Sequence, residues 1–541
     1  LAHPQALLAD FAARGRELGL SCALAADTII RRGAGGLDPC PPAELRYLER
    51  RYSWLRAARA EELALDPGPL KHALIATRAS RRGISVTVDA RSLGSGFGGT
   101  RTYVGGLVRA LARSGAVSVR AVVSGEPEPA LQAEWMAAGV EIVDYEDAAR
   151  GELHRTDVIH RPQQAFTPSD LRLLELVGDR LVVTHMDLIA YRAPTYHDSV
   201  EAWRAYRRTS RLALAAADRV IFLSEHARRD ALAEELVPDD RAVVAGIGVA
   251  PAPAVADGER PARIPADTEF LLMLGSDYGH KNRPFALKLL DQLACRHAWP
   301  GMLVLAGAHA PHGSSAAVEA ELLDSRPDLA ARVIDLGPVT EAEKRWLLRS
   351  AVAHVTPSTY EGFGLAPLEA AAVGRPCLYA ARGPLAEIID PAAAAVVPWD
   401  PAATADAAIE LLRPGLARER HLRLLTEALH RHTWELVLPP ILAAYEGAVA
   451  SPCRASAPRA WAELEREELA ADLFARVTEG MALIDARGPL LTRAQQRGLM
   501  RVAARPWLKG PLLGGFGLLG IDHRGAREAD RADGEPSDSA P

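Results

Sequence analysis

The chain has 541 residues, a formal net charge of −6, 48% hydrophobic side chains and 24% charged ones. That length is too great for one hydrophobic core and calls for roughly two to four domains, while the composition excludes disordered, fibrous and collagen-like classes. A negative balance offers no positive field for polynucleotides, so nucleic acid is not expected as a partner.

Five cysteines, Cys22, Cys40, Cys295, Cys377 and Cys453, are scattered without CxxC or Cys/His ligand spacing. This argues against a disulfide framework and a structural zinc. No apolar run reaches the roughly 18 to 20 residues of a membrane span, and the first residues lack signal-peptide regions. A cytoplasmic location is the expectation.

Residues 1–82 alternate apolar and charged positions at helical spacing, as in "PPAELRYLERRYSWLRAARAEELAL", and predict a helical extension. The texture then changes. Over 83–248 short β-branched runs alternate with helical stretches: "ISVTVDARSL", the loop "GSGFGGT", the helix "YVGGLVRALARSG", then "VSVRAVVSG", "VEIVDYE", "TDVIHRP", "DRLVVTHMDL" and "ADRVIFLSEHARRDALAEEL". Such alternation makes a parallel sheet with helices on both faces. Residues 249–265, "VAPAPAVADGERPARIP", read as a linker. A second series over 266–430 contains "EFLLMLG", "GMLVLAGA", "ARVIDLG", "AVAHVTPS", "PCLYAA" and "AAAVVPW". The expected fold is therefore α/β, with two tandem Rossmann-like doubly wound domains between helical N- and C-terminal extensions.

Residues 431–450 predict a helix returning toward the first domain, 451–520 a helical extension, and 521–541 a disordered tail, being charged, small and almost without apolar side chains. The apolar, glycine-rich "PWLKGPLLGGFGLLG" is too short to span a bilayer. It is open to two readings, packing on the body or peripheral contact with the inner face of the plasma membrane.

The stretch "TPSTYEGFGLAPLEAAAVGRP" carries the chemistry. It reads as a strand, a glycine turn and a helix with Pro367 in its first turn, where the missing N–H costs nothing. Glu361 then sits at the carboxyl edge of the strand, and Glu369 lies just inside the helix. Free amides at a helix start suit phosphate, and ionised carboxylates accept hydrogen bonds from sugar hydroxyls. On spacing alone, Glu361 as a turn residue and Glu369 as a complement to the helix dipole are equally good readings.

The full string, however, closely resembles the Glu-x7-Glu signature of retaining glycosyltransferases of family 4, which adopt the GT-B fold. The resemblance spans about residues 84–450. It implies that Glu361 contacts the donor sugar and Glu369 the nucleotide ribose, with Gly362, Phe363, Gly364 and Leu365 lining the donor. "LGSDYGHKN" looks like the family's glycine-then-lysine element, in which Lys281 neutralises the donor diphosphate beside Gly275, Ser276, His280 and Asn282. It is not a Walker loop, because Asn282 follows the lysine. His280 stands where the family usually carries arginine. "VVTHMDL" resembles the His-Asp-Leu segment with Met186 inserted, implying that His185 lies near the donor sugar and leaving Asp187 as structural. "GFGGTRTYVGGL" resembles the first glycine loop, with Gly98 and Gly99 approaching the phosphate and Arg101 where another glycine is common. Lys281 as a surface charge and His185 as a satisfied polar group remain the plain alternatives.

The implied reaction is transfer of a hexosyl group, with retention, from a nucleotide diphosphate sugar to the hydroxyl of a glycan or lipid-linked acceptor. The departing diphosphate helps deprotonate that hydroxyl while Lys281 and helix amides stabilise its charge. No cofactor is expected, the sugar nucleotide being a co-substrate. No metal is expected either, since no convincing acidic pair ends a strand, and "PDD" at 238–240 reads as loop. The "HKN" form leans toward a GDP-mannose-like donor over a UDP-glucose-like one, for use in glycan or polysaccharide biosynthesis. The alternative from another class is a non-catalytic subunit that keeps the GT-B body as a binding scaffold.

Overall fold

The computed structural model describes residues 42–52, 68–94, 98–151, 153–249 and 258–451, together with residues 10, 11 and 14. Contacts divide the chain into one compact unit, Leu1–Ala457, and a second, Pro458–Pro541, outside the described residues. The expected extension beyond residue 451, the tail and the glycine-rich apolar run therefore lie outside the description. In the N-terminal extension, helices span Pro42–Arg51 and Gly68–Arg82. Among the described residues no helix is long and apolar enough to cross a membrane.

Two parallel sheets form the body. The first contains β1 (Ile84–Asp89), β2 (Val117–Val123), β3 (Glu141–Asp144), β4 (Thr156–Arg161), β5 (Gly178–His185), β6 (Arg219–Phe222) and β7 (Ala242–Val244), in the order β3-β2-β1-β4-β5-β6-β7. The second contains β8 (Phe270–Leu274), β9 (Met302–Ala306), β10 (Val333–Asp335), β11 (Ala353–Thr356) and β12 (Cys377–Tyr379), in the order β10-β9-β8-β11-β12. All six residues of β4 and all four of β11 are buried. Helices cover both faces of such a sheet, so the strands read as near-continuous apolar runs.

Three local features differ from the sequence reading. Strand β7 was not foreseen, because its three residues lie between a charged 3₁₀ turn and a glycine-containing segment, too short for a periodic signal. The run Ala393–Trp399, read as a strand, is irregular; the Val396 amide donates to the Tyr379 carbonyl at 3.1 Å, but Pro398 can donate nothing and no ladder forms. Of the segment read as a linker, 250–257 lies outside the described residues, whereas 258–265 is seated on the second lobe. There Ile264 is buried among Phe270, Leu272 and Leu347, and the Glu259 amide bonds the Ala342 carbonyl.

The helix Trp434–Ala450 packs against β4, β5, β6 and the helix Gly99–Ser114 of the first lobe. A buried polar chain accompanies the apolar contact. The Tyr445 hydroxyl lies 2.7 Å from His160 Nδ1, His160 Nε2 lies 2.8 Å from Thr184 Oγ1, and Thr184 is 3.2 Å from the Tyr103 hydroxyl. A satisfied buried network specifies one docking geometry more sharply than apolar contact does. One core cluster runs through both lobes, joining Val86, Val182 and Ile221 to Phe363, Leu368, Tyr379 and Ile441.

Candidate functional site

Ligands of doubly wound sheets bind outside the carboxyl ends of the strands, where strand order reverses. In the second sheet that point lies between β8 and β11. Both expected motifs leave the sheet there: the segment to Asn282 follows β8, and the segment to Gly364 follows β11. Lys281 Nζ lies 2.7 Å from Glu361 Oε1 and 2.9 Å from Oε2. The pair is largely shielded, with side-chain exposures of 25% and 12%. Burial alone would raise the Glu361 carboxyl, but the Lys281 charge and hydrogen bond outweigh it and hold the group below its ordinary value.

This pair stands where the two lobes meet. A Cβ placed on Gly362 would come within 2.3 Å of the Met186 carbonyl oxygen and 3.0 Å of Asp187 Cβ, just beyond β5. The Ser224 hydroxyl, after β6, donates to the Gly362 carbonyl at 2.8 Å while also capping the helix Glu225–Ala233. Tyr360 bonds Asp230 across the same face, and Glu387 accepts the amides of Glu225 and His226. Two helix N-termini adjoin here as well. Gly364 caps the helix Leu365–Ala372 with φ 95°, and the Cβ position of Gly99, at the start of Gly99–Ser114, is 3.7 Å from Leu365 Cδ1. The first-turn amides of both helices, which have no partner within their own helix, thus lie at the turn that follows Glu361. Gly98 immediately precedes the first of these helices.

The remaining residues divide into groups. Gly275, with φ +124°, follows β8; its carbonyl accepts from Arg283, and a Cβ on Gly307 would lie 2.3 Å from that oxygen. Ser276 occupies the same tight turn. Asn282 takes a left-handed conformation at φ 60°, and its Nδ2 donates to the Pro357 carbonyl at 3.3 Å, tying the two motif segments together. His280 bonds Tyr196 of the first lobe. His185, the last residue of β5, is buried, and its Nε2 has no hydrogen-bond partner among the described residues. Burial lowers that ring to about 4, so it is neutral.

Glu369 is not a free carboxylate: Lys344, from the helix Glu341–Ser350, bonds it at 2.8 Å. Burial would lower the Lys344 ammonium, but the Glu369 charge outweighs this and raises it above its ordinary value. The Phe363 ring, expected to line the donor, is instead 3% exposed and packs edge-to-face on His432 at 5.3 Å. The turn aims it into the shared core. Asp187, read as structural, caps Ile189 at 2.9 Å yet also feels the Glu361 and Lys281 charges, and burial raises its carboxyl.

Several residues were not singled out from the sequence. Asp277 is wholly buried and holds the Ala310 amide, the Ser314 hydroxyl and His309, which shapes the loop beside Gly275. Arg283, also wholly buried, joins Gly275 to Asp335. Asp277 and Arg283 lie in or beside the quoted motif, so a charged residue within an otherwise turn-forming string was the available signal. Lys344, Tyr196 and Ser224 offered none, since their partners are 25, 84 and 138 residues away. Among the described residues no group of three His, Cys, Asp or Glu is arranged to hold a metal.

Five buried and half-buried histidines weaken this body in acid. Burial lowers His160 to about 3 and His185, His280, His354 and His421 each to about 4. The unfolded chain protonates these rings from about pH 6.5 downward, whereas the folded one resists until its own lower values. Unfolded molecules then bind more protons, so stability falls with pH across that window and is level above it as far as these rings are concerned. Asp187 and Glu319, raised by burial, act in the opposite sense but are outnumbered. Urea midpoints measured at pH 7, 6 and 5 should decline steadily; a constant or rising midpoint would contradict the burial of these rings.

Residues 257–423 match the family described as Glycosyl transferases group 1. That stretch includes Gly275, Lys281, Glu361 and Glu369. The paired parallel sheets have the GT-B architecture. A phosphatidyl-myo-inositol mannosyltransferase of Mycobacterium leprae is 33% identical over 131 residues, covering 24% of this chain and 35% of that protein. The match thus spans about a third of the relative's length. In structure, the chain is similar to sucrose-phosphate synthase from Thermosynechococcus elongatus, with a TM-score of 0.50 at 19% identity, over 67% of this chain and 98% of that one. This second likeness concerns the fold.

Proposed function

We propose that this chain transfers a hexosyl group from a nucleotide diphosphate sugar to an acceptor hydroxyl, with retention and without a metal. The observation that carries the reading is the Lys281–Glu361 pair at the strand-order switch point, against the first lobe and beside two helix N-termini. Lysine and helix amides suit a diphosphate, and the acid suits sugar hydroxyls. In this reading the leaving diphosphate takes the acceptor proton, and Lys281 stabilises the negative charge that gathers on the departing oxygen. His185, neutral and with an unpartnered Nε2, sits at the end of β5 to meet a donor hydroxyl. Glu369, held by Lys344, accepts from the ribose.

The name of the M. leprae relative favours mannose as the sugar moved, and a GDP-mannose-like donor follows the same lean as "HKN". A glycan or lipid-linked hydroxyl is the acceptor, and the reaction belongs on the cytoplasmic side of the cell. The test is turnover of GDP-mannose and UDP-glucose by the full chain, with and without EDTA. Cleavage of one donor that is unaltered by EDTA is expected. Activity lost in EDTA and restored by magnesium or manganese would overturn the metal-independent reading. No turnover or binding of any sugar nucleotide would leave the scaffold alternative standing.

A further inference from the structure

We propose that His280 donates one hydrogen bond, as a neutral ring, to the diphosphate of the sugar nucleotide, and that Tyr196 of the first lobe is the positioning residue that keeps the donating proton on Nε2. The proposal rests on the sugar-nucleotide reading and adds a residue from the opposite lobe to it.

The Tyr196 hydroxyl and the His280 ring share two protons between them. Tyr196 Oη lies 2.8 Å from His280 Nδ1 and 3.0 Å from the backbone nitrogen of the same residue. A backbone N–H can only donate, so the phenolic oxygen accepts there. The phenol has one proton of its own, and the described residues offer it no acceptor except Nδ1. Burial keeps the ring neutral at ordinary pH. A neutral imidazole carries a single proton, so with Nδ1 accepting, Nε2 is the N–H. No protein group among the described residues accepts from Nε2. His280 directly precedes Lys281, its carbonyl accepts the amide of Thr359 two residues before Glu361, and the charges of Lys281 and Glu361 both act on its ring.

The segment around the ring is held as firmly as the ring. The Thr359 amide donates to the His280 carbonyl at 2.8 Å, and the Lys281 amide to Tyr278 at 2.8 Å. Tyr278 packs on the rings of both Tyr196 and His280, with centroids 5.2 Å and 5.7 Å away. Tyr196 belongs to the turn Pro194–Tyr196 of the first lobe. The contact therefore joins the first lobe to the loop after β8 of the second. A neutral donor therefore stands at the position where the resembled family presents an arginine.

The experiment is calorimetric titration of the full chain with GDP and with UDP, for the unaltered protein, Tyr196→Phe, His280→Ala and the double variant. Each single change should weaken binding about five- to tenfold, the worth of roughly one hydrogen bond, and the double no further than either alone. His280→Gln retains an N–H that needs no tautomer, so its binding should be indifferent to Tyr196→Phe. Nitrogen-15 spectra of the nucleotide-free chain, with His280 assigned by its absence in His280→Gln, should show the Nε2–H form, and Tyr196→Phe should shift it. Losses that simply add, undiminished binding by Tyr196→Phe, or an Nδ1–H ring would each overturn the proposal while leaving the sugar-nucleotide reading intact. If the unaltered chain binds neither GDP nor UDP, both fall.

Discussion

Lys281→Ala should lower donor turnover by about 10²–10³-fold, the scale at which a single group stabilising a developing oxyanion is lost, and should destabilise the fold as well. The two effects have different origins. Catalytically, the departing diphosphate loses the one ammonium that the loop after β8 supplies. Structurally, Glu361, with a side chain 12% exposed, loses both of its Lys281 hydrogen bonds. Removing one member of a buried pair costs about 3–5 kcal/mol, because a desolvated charge remains; the partial exposure of Lys281 places this case at about the lower figure.

Burial, the largest influence on this carboxyl and then opposed only by the weaker pulls of Ser358 and His280, should raise Glu361 above its unfolded value. A group so raised favours the folded state below the unfolded value and loses that contribution as pH climbs. The variant should therefore gain stability relative to the unaltered chain between pH 7 and pH 5. Lys281→Met combined with Glu361→Gln removes both charges and should regain most of the stability without regaining turnover. Urea denaturation and donor-cleavage assays on the three variants separate the effects. Full activity in Lys281→Ala, or a double variant no more stable than the single, contradicts this account.

Gly362→Ala is expected to abolish most activity by a different route. The added Cβ would fall 2.3 Å from the Met186 carbonyl oxygen and 3.0 Å from the carbonyl carbon, both backbone atoms that no rotamer change can move. Relief requires the turn after β11 to withdraw from the first lobe, which also breaks the Ser224–Gly362 hydrogen bond. Glu361 shifts with its neighbour. A displacement of about 1 Å can cost about 10²-fold in rate, while the strain should cost only about 1–3 kcal/mol of stability. A protein that stays folded yet turns over little donor is the predicted result. Gly415→Ala, where an added Cβ meets nothing, serves as the control and should leave both quantities unchanged. Activity in Gly362→Ala equal to that of the control would show that the lobes do not need this contact.

Much of the fold was legible from short-range pattern. Buried parallel strands are near-continuous apolar runs bounded by turns, so β1, β8 and β11 stood out, as did the helix Arg283–His297. The pattern failed where it was short or ambiguous. Strand β7 has three residues, and Ala393–Trp399 is apolar without being paired. Within the site, Lys281 and Glu361 were legible because their motifs are local strings following strands. That they touch each other, 80 residues apart, was not.

What the sequence alone determined is the set of local chemistries: a lysine after one strand, an acid after another, glycines where amides must come close, and the alternation that forces parallel sheets. Each depends on neighbours a few residues away, which the order of residues states directly. Only the tertiary structure decided how those groups are engaged: Glu361 on Lys281, Glu369 on Lys344, Phe363 in the core and His280 on Tyr196. These pairings depend on where two separately wound sheets meet, and on which way a side chain leaves its turn. Single-residue propensities carry no information about either.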